Sequence, residues 1–580
     1  MKYQLNSKNY NQENSDTVLD SLLKERGIED PIKWLHPNES YENSPWLFNE
    51  MAKAVKILND TIRQKEKNIV VVVDSDVDGY TSGAIISLLL KQINLRSNIS
   101  YVLHPGKEHG IVLEDIPEDT DLVIIPDSSS SQKEEHLKLL NDNTKIIILD
   151  HHEISNNDLD YGIYKNSIAI VNSQEGNYPN HYLSGAGVAL KFVQAYAEQY
   201  GVSVPSSLYG LAAVGIVADV MDLRELENKQ IVFNGLKYLK EQTFLYTLIK
   251  DGHYNEENPQ PSVRDIGWII GPNINAIIRL GTQEQKHLIF RALISPTILV
   301  QTSKRGAEEG EEVPLFEEAA RICKNARKRQ TTAVDKSIKT ILSETEIKDE
   351  DNVIIYVDKN KELTFELSGL IANKLLSLYN RPVILLKPFV KDNIQEFRGS
   401  VRGKAVEDLP NLKNLIDGIS GVSLAEGHAF AFGLGVEQES FPTFTAHLKS
   451  LLEDIDFNAN LYLVDLVTKY NELNLNVAKV MAEDNVWCHG VEKPLAVLTD
   501  IPVENYTVMG DSQQHLKINC DTYDIVLFGV PDLTEQLMGN KPFNLDVVGE
   551  FSMNGDRLQL VVTDYDLKPY VKKTVWDMVF

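Results

Sequence analysis

The sequence predicts an α/β protein. Its main body is a doubly wound, mainly parallel sheet, joined by a long helix to a smaller α/β region and then to a small C-terminal β-barrel. Three observations carry this. Up to about residue 300, short runs of β-branched residues alternate with helical patterns, which is the signature of βαβ units. Residues 314–342 read as one uninterrupted amphipathic helix. Beyond residue 456 the pattern changes to short alternating β segments split by turns, the spacing of a small barrel such as an OB-fold.

Taken in order, residues 1–45 form a polar N-terminal segment with a short helical pattern in DTVLDSLLKERG. Residues 46–305 form the main α/β domain. A helix over about 46–66 leads into the first strand, and TSGAIISLLLKQI and SGAGVALKFVQAYAEQYG are further helices. Residues 306–345 are the connector. Leu315, Ala319, Ile322, Ala326, Ala333 and Ile341 fall on one side of its helix. Arg321, Lys324, Lys328, Lys336 and Lys339 fall on the other, as either a solvated face or a phosphate-tracking one. In the second α/β domain, 346–455, DNVIIYVD and RPVILLKP are strands around the helix LSGLIANKLLSLY, with FRGSVRG and EGHAFAFGLG as Gly-rich loops. Residues 456–580 hold the barrel strands PLAVLTDIPV, LKINCDTYDIVLFGV, FNLDVVGEFSM and DRLQLVVTDYDL. Tyr506, Tyr523 and Phe528 are its candidate base-stacking residues, or core.

Four acidic motifs each close an apolar run: VVVVDSDVDGYTSG, LVIIPDSSS, KIIILDHHE and LAAVGIVADVMDL. Apolar runs of this length read as buried parallel strands, and open α/β sheets bind ligands at the carboxyl ends of their strands. Asp74, Asp76, Asp78, Asp127, Asp150, His151, His152 and Asp219 should therefore converge on one crevice. Unscreened carboxylates would raise one another's pKa, and divalent ions remove that penalty. Hard oxygen donors favour Mg²⁺ or Mn²⁺, and imidazole tips the choice toward Mn²⁺. A calcium-type loop is excluded, because its twelfth position is Ile85 and not Glu. Asp127 is the candidate bridge between two ions and His151 the nitrogen ligand. His152 is a second ligand, a phosphate contact or a general acid. Asp150 orients a histidine. Thr81 and Ser82 are expected to cap the helix that follows the first motif.

Composition narrows the setting. The net charge of −27 argues against a broad nucleic-acid-binding face, yet carboxylates that hold metal count toward that sum. The polar N-terminus has no apolar core of a signal peptide, and no uninterrupted apolar run is long enough to span a membrane. The three cysteines, Cys323, Cys488 and Cys520, are far apart and odd in number. That supports neither disulfides nor a zinc finger and suggests a reducing cytoplasm.

The four acidic motifs resemble those of the DHH phosphoesterase superfamily, and the likeness extends to RecJ-type single-strand-specific exonucleases. LKERGIEDPIKWLHP resembles the N-terminal segment of that family. GPNINAIIRLG resembles its GPRINAAGR-like motif and implies Arg279 as a phosphate contact. RGSVRG resembles the GSxR loop of the DHH-associated domain and implies Ser400 and Arg402. EGHAFAFGLG resembles that domain's GGHxxAAG loop and implies His428. Lys107, in HPGKEHG, stands where an Arg is usual, and Asp127 precedes serines where Asn-Gly is usual. These departures admit a divergent or viral member and touch the substrate-end contacts.

The resemblance implies a metal-dependent exonuclease on single-stranded DNA, running 5′ to 3′ and releasing mononucleotides. Asp76, Asp127, His151 and His152 would be its catalytic group, and Lys107, Arg279, Ser400, Arg402 and His428 its substrate contacts. A monomer is expected, with a single-strand-binding protein or a helicase as candidate partners. DNA repair, recombination and viral DNA metabolism are all compatible settings. The alternative is a DHH phosphodiesterase acting on short oligonucleotides, pAp or cyclic dinucleotides, against which the barrel-like tail argues. A scaffold without catalysis is disfavoured, because every ligand type is present.

Overall fold

The structure is a computed structural model. It describes residues 1–570 except 94–95, 107, 155–159, 254–255, 346, 349–350, 392–393, 407, 458–460, 511–512 and 540–541. The chain divides into two units, one of Leu5–Asn325 with Val464–Phe580 and one of Ala326–Leu463 with Met1–Gln4.

In the larger unit, β-branched runs such as Asn68–Val73 and Lys145–Asp150 form a five-stranded sheet, buried because helices cover it. The strand order is Asn98–Leu103, Asn68–Val73, Leu122–Pro126, Lys145–Asp150, Ile168–Asn172, parallel throughout. The chain leaves Asn68–Val73 toward one edge and then returns to Leu122–Pro126 on its other side. A topological switch point therefore lies between these two strands, and crevices open at such points at the carboxyl ends. Asp74 and Asp127 follow directly on the two strands that flank it.

Helices Val77–Ile93, Gly185–Tyr200 and Ser207–Ala218 pack against one another beside this sheet. The first starts at Val77, earlier than the sequence suggested. Its Gly79 N–H donates to Asp76 Oδ1 (2.8 Å), while the Thr81 and Ser82 hydroxyls donate back to carbonyls of the preceding turn, so neither caps it. The fourth acidic motif is a helix and not a strand: Ser207–Ala218 is helical and Asp219 is its C-cap. A helix apolar all round, with Ala212, Ala213 and Gly215 allowing close approach, has the same apolar run as a buried strand.

The C-terminal part of this unit is a seven-stranded mixed sheet. Its strands run in the order Leu466–Lys469, Leu495–Pro502, Phe543–Asn554, Arg557–Pro569, Asp524–Leu527, His515–Asn519, Tyr506–Met509. The N-terminal segment shares its core. Tyr10, Leu22, Leu23 and Trp34 are buried in one cluster with Leu498, Phe551 and Leu560. Asn9 Nδ2 donates to the Val467 carbonyl (2.6 Å), and Arg26 pairs with Asp465 (3.0 Å).

The smaller unit is a second five-stranded sheet, in the order Val422–His428, Ala431–Glu437, Ile394–Arg402, Val383–Lys391, Ile354–Val357. The expected loops FRGSVRG and EGHAFAFGLG are thus paired strands, with Gly399 opposite Leu386 and Gly435 opposite Leu424. Glycine weakens strands in general, but here it admits a tightly approaching neighbour: a Cβ on Gly399 would sit 1.8 Å from the Leu385 carbonyl oxygen. The connector helix runs Leu315–Glu344. On its basic side Arg321 pairs with Glu318 and Lys324 lies 3.7 Å from Asp251, which favours the solvated-face reading for those two. The three cysteines are free, and among the described residues no helix is long and apolar enough to cross a membrane.

Candidate metal centre

The carboxyl ends of the strands deliver the site. Asp74 accepts a hydrogen bond from the Gly110 N–H (2.9 Å) and lies 2.6 Å from His109 Nδ1. Asp78, on the first turn of its helix, accepts from the N–H groups of Gly185 (2.7 Å) and Ala186 (3.0 Å) and from the Ser184 hydroxyl (3.0 Å). It therefore sits at the positive end of the helix Gly185–Tyr200. Asp127 takes φ +72°, a left-handed conformation rare outside glycine and concentrated at functional sites.

His151 is the hub. Its Nε2 lies 3.2 Å from Asp127 Oδ1, 3.5 Å from Asp219 Oδ2 and 4.0 Å from Asp78 Oδ2. Asp150 organises the pair of histidines: its Oδ1 accepts from the His151 N–H (2.7 Å) and lies 2.8 Å from His152 Nδ1. Its Oδ2 accepts from the Ser130 N–H (3.0 Å).

Among the described residues, three overlapping groups have donor atoms within 4.8 Å of one another: Asp74 with Asp76 and Asp127; Asp78 with His151 and Asp219; Asp127 with His151 and His152. Asp127 and His151 each belong to two of them. Burial, reinforced by Asp74 and Asp78, pushes Asp76 up to about 6. Burial with Asp78 and Asp76 pushes Asp219 up to about 8. Burial and the surrounding carboxylates hold Asp127 well above the usual range. For Asp150, burial is outweighed by the His152 hydrogen bond and the histidine charges, so its carboxyl stays below the usual range. That same bond pushes His152 up to about 9, and burial lowers His151.

These residues fit divalent metal. Asp127 Oδ1 is buried and accepts no hydrogen bond from any described residue. Glycines back two of the carboxylates and leave no room for side chains: a Cβ on Gly185 would lie 2.3 Å from Asp127 Oδ1, and one on Gly215 2.1 Å from Asp78 Oδ1. A donor set of carboxylates with imidazole suits Mn²⁺ or Mg²⁺.

Arg279 is half-buried in the last turn of helix Gly271–Leu280, which packs on helix Val77–Ile93. Ser400, Arg402 and His428 belong to the smaller unit. There Arg402 and His428 share a cross-strand row through Ala431, and Ser400 Oγ lies 2.9 Å from Ser368 Oγ. Lys107 lies outside the described residues. Among the barrel aromatics, Tyr523 is buried with its hydroxyl on the Tyr470 carbonyl, and Tyr506 packs against the core. Phe528 is 59% exposed, edge-on to His515. His109 and Ser184 escaped the sequence reading. A histidine next to glycine, and a serine opening SGAG, were the only signals.

Two stretches match known families: residues 68–216 match "DHH family, N-terminal domain" and residues 464–564 match "RecJ OB domain". A Bacillus subtilis (strain 168) protein named as SPbeta prophage-derived single-strand DNA-specific exonuclease YorK is 33% identical over 490 residues, 84% of this chain and 83% of its own. The single-stranded-DNA-specific exonuclease RecJ of Haemophilus influenzae is 24% identical over 536 residues, 86% of each chain. The crystal structure of RecJ in complex with Mn²⁺ from Thermus thermophilus shares the fold. Its TM-score is 0.67 at 20% identity, over 96% of this chain and 76% of that one.

Proposed function

Because the chain belongs to the RecJ-type family of single-strand-specific exonucleases within the DHH phosphoesterases, we propose that it hydrolyses single-stranded DNA from the 5′ end. Asp74, Asp76, Asp78, Asp127, His151 and Asp219 would hold two Mn²⁺ or Mg²⁺ ions, Asp127 being a member of two of the overlapping donor groups. The observation that supports this most is the sharing of Asp127 and His151 among the overlapping donor groups.

When bound, such a pair of ions activates water as a nucleophile near neutral pH and offsets charge on the phosphodiester. The chain's own residues do the rest. His152, anchored through Nδ1 by Asp150, is left with Nε2 to donate a proton to a phosphate or leaving oxygen. Asp150 holds that ring and the His151 backbone in register. Arg279 offers a planar donor to phosphate oxygens, and Ser400, Arg402 and His428 contribute a phosphate-binding face in the smaller unit. The seven-stranded C-terminal sheet would grip the strand, with Phe528 exposed for base stacking.

A time course with Mn²⁺ on strands labelled at either end tests this. The 5′ label should appear first, as mononucleotide. Asp127→Asn should lose at least about 100-fold in rate while still binding the strand, since even partners one step removed from a metal cost roughly 10–100-fold. Loss of the 3′ label first overturns the direction. Wild-type cleavage retained in Asp127→Asn overturns the ligand role.

A further inference from the structure

Asp74, Asp76 and Asp78 are each oriented by a backbone N–H group that donates to the carboxylate. Asp219 differs. No hydrogen bond from a described residue reaches its carboxylate, which lies 3.5 Å from His151 Nε2. Its place beside Asp78 and His151 is therefore set by its backbone.

That backbone is strained. Asp219 closes helix Ser207–Ala218, and Val220 follows at φ +58°. The N–H groups of Val220 and Met221 turn back onto the carbonyls of Val217 (3.2 Å) and Ile216 (3.0 Å), a helix ending at which glycine is usual. A β-branched residue in this conformation is an outlier that persists only where its surroundings hold it.

The surroundings come from the N-terminal segment and from the C-terminal part. Leu223, 1% exposed, donates its N–H to the His489 carbonyl (3.2 Å), and its own carbonyl accepts from Trp34 Nε1 (2.7 Å). Cys488 and Val491 exchange backbone hydrogen bonds of 2.9 Å, which closes a tight turn over His489 and Gly490. Gly490 takes φ +83°, and a Cβ there would lie 2.2 Å from Asp222 Oδ1. The turn thus meets Asp222 with bare backbone. Lys229, in the helix Leu226–Tyr238 that follows the loop, lies 3.5 Å over the Trp34 ring and donates to the Asn485 carbonyl (3.4 Å).

We propose that Trp34 and the turn His489–Gly490 are positioning residues for the metal centre. By fixing Leu223 and Asp222, they set where Asp219 presents its carboxylate. The C-terminal part thereby braces a ligand of the main domain, an inference that rests on Asp219 being a ligand.

A matched pair of substitutions separates positioning from general packing. Trp34 and Tyr523 belong to one core cluster, and each donates to a backbone carbonyl at 2.7 Å, Trp34 to Leu223 and Tyr523 to Tyr470. Mn²⁺ is titrated calorimetrically into the full chain, well below the Tm of each variant. Affinity should weaken about tenfold in Trp34→Phe, the low end for groups one step removed from a ligand, and stay unchanged in Tyr523→Phe. Gly490→Ala, which crowds Asp222 and leaves the core intact, should weaken it likewise. In an Asp219→Asn background neither loop substitution should weaken binding further, because groups acting through one ligand are not additive. Wild-type affinity in both Trp34→Phe and Gly490→Ala overturns the proposal. So does equal weakening in Trp34→Phe and Tyr523→Phe, or full additivity with Asp219→Asn. If Asp219→Asn itself binds Mn²⁺ like wild type, the ligand reading falls and the proposal with it. If Asp219→Asn weakens binding and the loop variants do not, only the proposal falls.

Discussion

Gly185 stands where a side chain would collide with Asp127 Oδ1 at 2.3 Å. The carboxylate has been given the space a Cβ would take, and its oxygen, 3.2 Å from His151 Nε2, accepts no hydrogen bond from the described residues. Gly185→Ala should therefore push Asp127 out of place. Mn²⁺ affinity should fall at least tenfold while far-ultraviolet circular dichroism stays unchanged, since alanine is a good helix former. Undiminished Mn²⁺ affinity in that variant would show that Asp127 has room to spare. The ligand types themselves were legible in the sequence, because DSDVDG and DHH are dense in donors. Their supports were not: His109 reaches Asp74 across 35 residues, and Ser184 reaches Asp78 across 106, separations that no local pattern encodes.

At the scale of elements, the three central strands of the main sheet, Asn68–Val73, Leu122–Pro126 and Lys145–Asp150, could be read directly, because β-branched runs bounded by turns have few other uses. The fourth motif could not. LAAVGIVA is apolar at every helical position as well as at every strand position, and only packing against other helices decides it. The strands around Gly399 and Gly435 were hidden for the opposite reason, since glycine in sequence signals a turn. One helix terminus carries functional weight. Ser184 both accepts from the Gly187 N–H (3.3 Å) and donates to Asp78. Ser184→Ala should cost about 1 kcal/mol in chemical denaturation and also weaken Mn²⁺ binding. A stability loss with wild-type Mn²⁺ affinity would assign Ser184 to the helix alone.

For the whole molecule, the net charge of −27 includes the carboxylates Asp74, Asp76, Asp78, Asp127 and Asp219 that crowd one site. Asp219 is pushed up to about 8 and His152 up to about 9 in the folded protein. Both bind protons more tightly folded than unfolded, so the stability they contribute is full below their unfolded values and is lost as pH rises through the folded ones. Asp150, held below the usual range, contributes the opposite way and loses its share only in acid. Thermal unfolding without metal should therefore show a Tm that falls between pH 7 and pH 9. Mn²⁺ should raise Tm more at pH 9 than at pH 7, because fewer protons must be displaced. A metal-free Tm that rises over this interval would contradict the burial of these groups.

The proposed pair of ions rests above all on the shared position of Asp127, and metal stoichiometry reads that position directly. Titration of Mn²⁺ into the full chain, followed by calorimetry and by metal analysis after gel filtration, should give two ions per wild-type chain. Asp127→Asn should retain at most one, with weakened affinity. Two tightly held ions in the variant, or only one in the wild type, would contradict a paired centre bridged by Asp127.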